Sequence, residues 1–131
     1  MSETTSDYLM ALKLKLTTSE VVAGYEIVKE RATAIDGYLR IKIELANGDF
    51  LEAAEYFERG PEGITTVDYR YQWMDVERKR LRRRWDSTPD HPELDNFPYH
   101  IHLDGEENVV PGEALSIIQV LDIIERELAG P

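Results

Sequence analysis

Apolar and polar residues alternate with a period of two along the middle of the chain, which is the spacing of a β-strand with one buried face. The alternation is clearest in residues 38–45, and Asn47-Gly48, a strong signal for a hairpin turn, follows directly. The apolar positions on one side of this strand are Leu39, Ile41, Ile43 and Leu45. The pattern predicts an antiparallel sheet that is buried on one face and exposed to water on the other.

Similar alternation predicts further strands on both sides of this one. They cover residues 25–31, 50–57, 64–73 and 81–86, and an extended segment follows at 100–102. A helix over residues 76–85 is the competing interpretation of the fifth strand. If the fourth and fifth strands pair through their apolar faces, their polar residues share one surface, which two residues of the second strand extend. These polar residues are Arg70, Gln72, Arg82, Arg84 and Asp86, extended by Arg40 and Lys42.

Both ends of the chain show the spacing of an amphipathic helix. Thr5 or Ser6 would cap the first helix, and Glu113 or Ser116 would serve the N-terminus of the last one. The apolar positions of the first helix are Tyr8, Leu9, Leu12 and Leu16. The sequence therefore predicts an α+β fold, a meandering antiparallel β-sheet of about six strands with an N-terminal and a C-terminal helix. Its 131 residues are expected to form a single domain over residues 1–131.

The charge of the chain is strongly negative but unevenly distributed. A net charge of −11 argues against general binding to nucleic acid or to anionic lipid. Six of the fifteen basic residues nevertheless lie within residues 78–84, where Arg78, Lys79 and Arg80 would form a docking edge for a protein partner. The chain has no cysteine, and its first residues lack the basic flank and apolar run of a secretory signal. These features predict a cytoplasmic protein without a membrane partner.

Residues 84–102 carry all three histidines and three of the six prolines of the chain. The prolines exclude regular structure in the middle of this stretch, where Leu94 and Phe97 would anchor an ordered loop. His100 and His102 are two apart on a strand, so both side chains point to one face with about 7 Å between their Cα atoms. Histidine is the side chain best suited to proton transfer near neutral pH, which makes this stretch the candidate site.

Several motifs at and before this stretch are unusual in combination. They are Tyr-Arg-Tyr-Gln-Trp-Met-Asp at residues 69–75, Arg84-Trp85-Asp86, His91-Pro92, Phe97-Pro98, His100 and His102. Together they resemble the TumE-type toxin family of bacterial and archaeal toxin–antitoxin systems, and the resemblance covers nearly the whole chain. Members of that family often carry a histidine where this chain has Asp90. A mechanism that requires a histidine at this position is therefore not carried over.

The resemblance implies a small toxin that a cognate antitoxin protein holds inactive, with RNA cleavage as its activity. His100 and His102 would act as the acid and base, with His91 as the alternate. Arg84 would stabilise the charge on the phosphate and Asp86 would fix a histidine tautomer, without a metal or other cofactor. The residues expected to contact the RNA backbone are Arg82, Arg70, Arg40 and Lys42.

Three other interpretations stay open. A divalent metal ion would find ligands in His91, His100, His102 and Asp86. The same groups would, in the second interpretation, only hold the loop in place through hydrogen bonds. In the third, the protein is a binding module without catalysis, and its basic edge contacts a protein partner. The oligomeric state is also open, with a homodimer among the alternatives.

Overall fold

The architecture is a seven-stranded antiparallel sheet with one helix from each end of the chain, seen in a computed structural model that describes residues 3–130. Each strand pairs with the next in chain order. The elements are α1 (Thr5–Thr18), β1 (Val22–Ala32), β2 (Asp36–Leu45), β3 (Phe50–Gly60), β4 (Gly63–Met74), β5 (Leu81–Asp86), β6 (His100–Leu103), β7 (Val109–Pro111) and α2 (Ile117–Ala129). The predicted α+β fold is thus confirmed.

The predicted fifth strand over residues 81–86 is confirmed, and the competing helix over residues 76–85 is absent, because a turn over residues 75–80 leads into β5. The strand count is one higher than predicted. The sheet also has a seventh strand, β7, which pairs with β6. That strand has only three residues and ends in a proline. A segment so short gives no usable alternation, and this explains why the sequence pattern did not reveal it.

The hydrophobic core lies between the two helices and one face of the sheet. The four alternating residues of β2 that were predicted to be buried are at most 1% exposed. Tyr8, Leu12 and Leu16 of α1 pack into the same core, as do Tyr71 and Trp85 of the sheet. Complete burial of a large apolar side chain contributes about 1.5–3 kcal/mol. The apolar residues of the strands and those of the two terminal helices therefore form one core.

Both helices begin with a capping box. Thr4 caps α1 rather than the predicted Thr5 or Ser6, and its side chain accepts a hydrogen bond from the backbone of Asp7. Thr5 is buried and donates its hydroxyl to the carbonyl of Thr33. At the other end, Ser116 caps α2, as one of the two predicted alternatives. A threonine or serine cap stabilises a helix by about 1 kcal/mol.

The strand register aligns polar residues in two rows across the face of the sheet that is turned away from the core, here called the polar face. The first row is Arg40, Ala54, Arg70, Asp86 and His100. The second row is Lys42, Glu52, Gln72, Arg84 and His102. Because opposite residues of paired strands point to the same side, the predicted polar surface is present and reaches the histidines of β6.

Arg82 does not join the polar face, and its predicted position there was wrong. The pairing of β4 with β5 shifts register between Trp73 and Met74, so that Arg82 has no partner in the ladder. Its Nε lies 2.6 Å from Oδ2 of Asp49, the same carboxylate oxygen that accepts the indole N–H of Trp73. A bulge re-aims the side chain that it contains, which the alternation of the sequence does not show.

A buried carboxylate ties both helices to the sheet. Glu55 of β3 is fully buried on the core side and accepts hydrogen bonds from the hydroxyl of Tyr8 at 2.5 Å and that of Thr66 at 2.7 Å. It also accepts the first backbone N–H of α2, from Ile117, at 3.0 Å. Burial raises the pKa of Glu55 above its usual range, although these three donors oppose the rise.

We predict that Glu55→Ala lowers the free energy of unfolding by about 2–4 kcal/mol, because Tyr8 and Ile117 are left with buried donors that have no partner. Since the folded state raises the pKa of Glu55, its contribution to stability is complete below the pKa of the unfolded chain and shrinks as the pH rises. Urea unfolding at several pH values should show the largest difference from wild type at or below about pH 4, under the usual pKa of a glutamate.

Glu44→Ala is the matched control, because Glu44 is an exposed glutamate on β2. It should change the free energy of unfolding by less than about 0.5 kcal/mol across the same pH range. Equal effects of the two substitutions would contradict the role of Glu55, and so would a Glu55→Ala effect that grows toward alkaline pH.

Candidate active site

Three imidazole rings, those of His91, His100 and His102, meet above the end of the polar face and are here called the histidine cluster. The two rings on β6 are 5.0 Å apart between centroids. His91 reaches over from the preceding loop, with its ring 4.9 Å from that of His100 and 5.8 Å from that of His102. The alternation of β6 accounts for the first pair, and the loop adds the third ring.

Hydrogen bonds to backbone oxygens fix the orientation of the two histidines on β6. Nδ1 of His100 lies 2.9 Å from the carbonyl oxygen of Pro98, and Nδ1 of His102 lies 2.9 Å from that of Glu106. A carbonyl only accepts, so Nδ1 of each neutral ring carries the proton and Nε2 carries the lone pair. Nε2 of His100 is buried and has no hydrogen-bond partner within residues 3–130.

The third histidine, His91, also has an oxygen near its Nδ1 atom, but its side chain is more exposed to solvent than those of the other two. Nδ1 of His91 lies 3.2 Å from a carboxylate oxygen of Glu93. The side chain of His91 is 29% exposed, whereas those of His102 and His100 are 7% and 1% exposed. A molecule in solution therefore meets His91 first, His102 next, and His100 at the back of the cluster.

The pKa of His102 is lowered, chiefly because the ring is removed from water. The nearby positive charge of Arg84 lowers the pKa further, while the hydrogen bond to the carbonyl of Glu106 opposes the change. The neutral imidazole of His102 is therefore favoured over the protonated ring more strongly than in a free histidine. A neutral ring with its Nδ1 proton already donated has the lone pair of Nε2 free to accept a proton or a ligand.

Arg84 lies beside the cluster, opposite His102 in the pairing of β5 with β6. Its guanidinium makes a bidentate contact with Glu106, at 2.8 and 2.6 Å, and its Nε lies 3.5 Å from Oδ2 of Asp86. The side chain of Arg84 is only 10% exposed, while that of Glu106 is 64% exposed. The arginine is thus held in a fixed orientation by a carboxylate that itself faces water.

Asp86 links the strand, the arginine and the loop. Its Oδ1 accepts hydrogen bonds from the backbone N–H and the hydroxyl of Thr88, at 2.8 and 2.6 Å. Its Oδ2 faces Nε2 of His100 at a distance of 3.9 Å. The carboxylate is 5% exposed. At this distance Asp86 forms no hydrogen bond with His100, whose tautomer is fixed by the carbonyl of Pro98 instead. The shorter bonds of Asp86 to Thr88 order the start of the loop.

The loop between β5 and β6 is held by polar contacts rather than by the predicted aromatic anchor. Phe97 is 45% exposed, so its predicted role as an anchor was wrong. Asn96 instead donates its side-chain amide to the carbonyl of Gly112 at 2.6 Å. Asn96 has a φ of 63°, a conformation that asparagine tolerates better than most residues. Tyr99 stacks on Tyr69 at 6.2 Å between ring centroids.

The basic run of residues 78–84 is largely neutralised within the chain. The ion pairs are Lys79 with Glu77, Arg80 with Asp104, Arg82 with Asp49, Arg83 with Glu127 and Arg84 with Glu106. The guanidinium of Arg78 lies 4.2 Å from the centroid of the Phe50 ring. A docking edge formed by Arg78, Lys79 and Arg80 stays a prediction, and it would have to compete with these internal partners.

The remaining predicted RNA contacts lie on the polar face, away from the helices. Arg70 is 57% exposed and lies 4.0 Å from Asp86, while Arg40 is 48% exposed and pairs with Glu52 at 2.8 Å. Lys42 is exposed next to them. Together with Arg84, these basic residues span the polar face from β2 to the histidine cluster, where the carboxylates of Glu52 and Asp86 alternate with them.

One residue of the site was missed by sequence reasoning. Glu106 holds Arg84 through its side chain and His102 through its backbone carbonyl, from the turn between β6 and β7. That turn follows Asp104 and Gly105, both with positive φ. Glu106 is one of 26 acidic residues and stands beside another, Glu107, so its sequence context gave no signal for this role.

Three imidazoles and an arginine thus meet at the polar face of the sheet. This arrangement is a candidate site for an anionic ligand in a small α+β protein. The family model of the toxin TumE matches residues 11–130, nearly the whole chain. The chain therefore belongs to the TumE toxin family. Membership implies an antitoxin as its protein partner.

Other comparisons add no relative. Neither a curated protein nor a solved structure matches the chain. Neither helix between residues 3 and 130 has the length and apolarity that crossing a membrane requires.

We predict that His102 titrates with a midpoint below 6.5 in the folded protein, because burial and Arg84 disfavour its protonated ring. The folded state then binds this proton less tightly than the unfolded chain does, so the stability that His102 contributes is lost as the pH falls from 6.5 through the folded-state pKa. NMR titration of the ring resonances, with a chelator present, measures the midpoint. The urea-unfolded chain is the reference, and a folded midpoint at or above that reference would contradict the prediction.

Proposed function

We propose that this TumE-family toxin cleaves RNA by metal-independent proton transfer at the histidine cluster. One observation carries the proposal. Two imidazoles, that of the partly exposed His91 and that of the buried His102 beneath it, lie 5.8 Å apart between ring centroids, with their Nδ1 atoms engaged and a fixed arginine alongside. This arrangement offers a proton acceptor, a proton donor and a positive charge within reach of one phosphodiester.

In the proposed reaction, Nε2 of His102 accepts the proton of the 2′-hydroxyl, whose oxygen attacks the phosphorus. The bond from phosphorus to the 5′-oxygen breaks, and protonated His91 gives its proton to that leaving oxygen. Arg84 stabilises the negative charge on the phosphate oxygens. The products are a 2′,3′-cyclic phosphate and a 5′-hydroxyl, and the two imidazoles have exchanged protonation states.

His100 and Asp86 have supporting roles in this proposal. His100 was expected to form the acid–base pair with His102, but at 1% exposure its ring lies behind the other two. It supports the ring of His91 at 4.9 Å and carries its own Nδ1 bond to Pro98. Asp86 keeps Arg84 and the beginning of the loop in place.

The RNA strand would approach along the polar face. Arg70, Arg40 and Lys42 lie in the same two rows of residues as Asp86 and Arg84. Exposed cations spaced across the strands of a sheet suit the backbone of a single-stranded RNA, because each one contacts a separate phosphate. The antitoxin would then act by covering this face or the cluster at its end.

The substitutions His102→Ala, His91→Ala and Arg84→Gln are each expected to reduce RNA cleavage at least about 100-fold, since each removes a group that takes part in the proposed reaction. Cleavage of a fluorescent oligoribonucleotide by the purified protein, with and without a chelator, measures the rate. Mass spectrometry identifies the product ends. Expression of the same variants without an antitoxin should relieve growth arrest in the same order.

Arg126→Gln is the matched control for lost charge, because Arg126 is an exposed arginine on α2, remote from the polar face. It should leave the rate within about twofold of wild type, as surface changes generally do. Cleavage that persists at the wild-type rate in His102→Ala would refute the catalytic assignment. Cleavage that stops when a chelator is added would refute the metal-independent mechanism alone.

Removal of the Glu106 carboxylate is expected to favour RNA binding. In the free protein this side chain occupies both prongs of the Arg84 guanidinium, at 2.8 and 2.6 Å, where a phosphate would have to bind. Glu106→Gln keeps the backbone carbonyl that holds His102 and removes the competing charge. Fluorescence anisotropy with a non-cleavable 2′-deoxy oligonucleotide should show affinity about 3–10-fold tighter, whereas weaker binding would mean that Glu106 only positions the arginine.

A further inference from the structure

We infer that the histidine cluster is also a binding site for one divalent transition-metal ion of the zinc class. Its three imidazoles each offer a ring nitrogen, and these nitrogens all lie within 4.8 Å of one another. Imidazole is the ligand that zinc, copper, nickel and iron ions share a preference for. The inference concerns binding alone and does not depend on the proposed cleavage of RNA.

The hydrogen bonds of the cluster are those of metal-binding histidines. A ligating histidine nearly always donates its other ring N–H to a carbonyl or carboxylate oxygen, which fixes the ring and the tautomer. Here Nδ1 of His100 and Nδ1 of His102 donate to backbone carbonyls, while Nδ1 of His91 faces a carboxylate of Glu93. All three rings thus keep Nε2 as the atom available for an ion.

A second observation is the isolated nitrogen at the back of the cluster. Nε2 of His100 is buried, and it has no hydrogen-bond partner among the described residues. A buried polar atom without a partner costs about 1–3 kcal/mol, so native structures rarely keep one without a reason. Oδ2 of Asp86 lies 3.9 Å from Nε2 of His100, too far for a hydrogen bond but suitably placed for a shared ion. A metal ion would satisfy both atoms.

The required rearrangement is small. Ligand nitrogens of a tetrahedral zinc site lie about 3.4 Å apart, as follows from metal–nitrogen bonds of about 2.0–2.1 Å. The nitrogens of the cluster must therefore approach one another by at most about 1.4 Å from their limit of 4.8 Å. His91 is the partly exposed member and lies in a loop, so its side chain can supply most of this movement. Asp86 or water would complete the coordination.

Metal binding and the proposed proton transfer exclude each other. An ion on Nε2 of His102 occupies the lone pair that would accept the proton, and an ion on His91 prevents that ring from carrying one. A bound ion would therefore inhibit RNA cleavage by the mechanism proposed above. Binding and inhibition are separate measurements, so failure of one does not imply failure of the other.

Titration of the tag-free, chelator-treated full chain with Zn²⁺ by calorimetry tests the inference. We expect one ion per chain with a micromolar or tighter Kd, and Co²⁺ should give the visible absorption bands of a four-coordinate complex. His91→Ala should weaken Zn²⁺ binding at least tenfold, and so should His102→Ala. His91 is partly exposed, so its variant is expected to fold, which circular dichroism checks.

Two controls separate this site from the acidic surface of the protein, whose net charge is −11. Glu62→Ala, in the exposed turn between β3 and β4, should leave the Kd for Zn²⁺ unchanged. Ca²⁺, which prefers oxygen ligands, should not compete with Zn²⁺ for the site. The inference is overturned if no saturable 1:1 binding occurs below about 100 μM, or if folded His91→Ala and His102→Ala both bind Zn²⁺ as tightly as wild type.

Discussion

The antiparallel register of the sheet is the constraint on which the site depends. Arg84 pairs with His102 and Asp86 pairs with His100, so the alternation that buries Trp85 and Ile101 on the core side sets the charged residues on the other. A shift of one residue in this pairing would exchange the two faces. Packing of the core therefore also assembles the site, because burial of the apolar face selects the register that places the arginine beside the imidazoles.

The two faces of the sheet use buried polar groups in different ways. On the core side, Glu55 satisfies donors from α1, β4 and α2, and three short bonds compensate for its burial. Among residues 3–130, three buried side-chain nitrogens have no hydrogen-bond partner: Nε of Arg84 and Nε2 of His100 on the polar face, and Nε of Arg83 on the core side. Two of these three nitrogens therefore lie at the candidate site. Such incomplete groups are typical of places where a ligand supplies the missing contacts.

Sequence periodicity was sufficient to predict most of the strands, both helices and the two histidines of β6. The alternation in β2 and β5 and the helical spacing of Tyr8, Leu12 and Leu16 depend on burial alone, so they were readable. The spacing of His100 and His102 was readable for the same reason. His91 was named only as an alternate, because loop geometry and hydrogen bonds place it over β6, and neither leaves a periodic trace.

The remaining misses come from interactions between residues far apart in sequence. A bulge turned Arg82 toward Asp49, and a turn carried Glu106 onto Arg84. Phe97 remained exposed because Asn96 and Tyr99 hold the loop. Composition also overstated the basic run, since most of its charges have an acidic partner that only the folded chain brings near. A strongly acidic chain has more carboxylates than basic side chains, so most side chains of a dense basic segment within it are expected to form ion pairs.

Under the proposed function, these internal ion pairs would limit how the protein binds RNA. Arg80, Arg82 and Arg83 are each held by a carboxylate, so they add little to the field outside the molecule. Positive charge on the polar face comes instead from a few residues, among them Arg70 and Lys42. Because each contacted phosphate contributes separately to affinity and to its salt dependence, so few contacts support only a modest, short-range attachment. In the proposed mechanism, recognition would then depend mostly on the fit of one phosphodiester at the histidine cluster, where burial strengthens each contact. A toxin built in this way would gain its effect from the geometry of that cluster rather than from tight binding along the RNA.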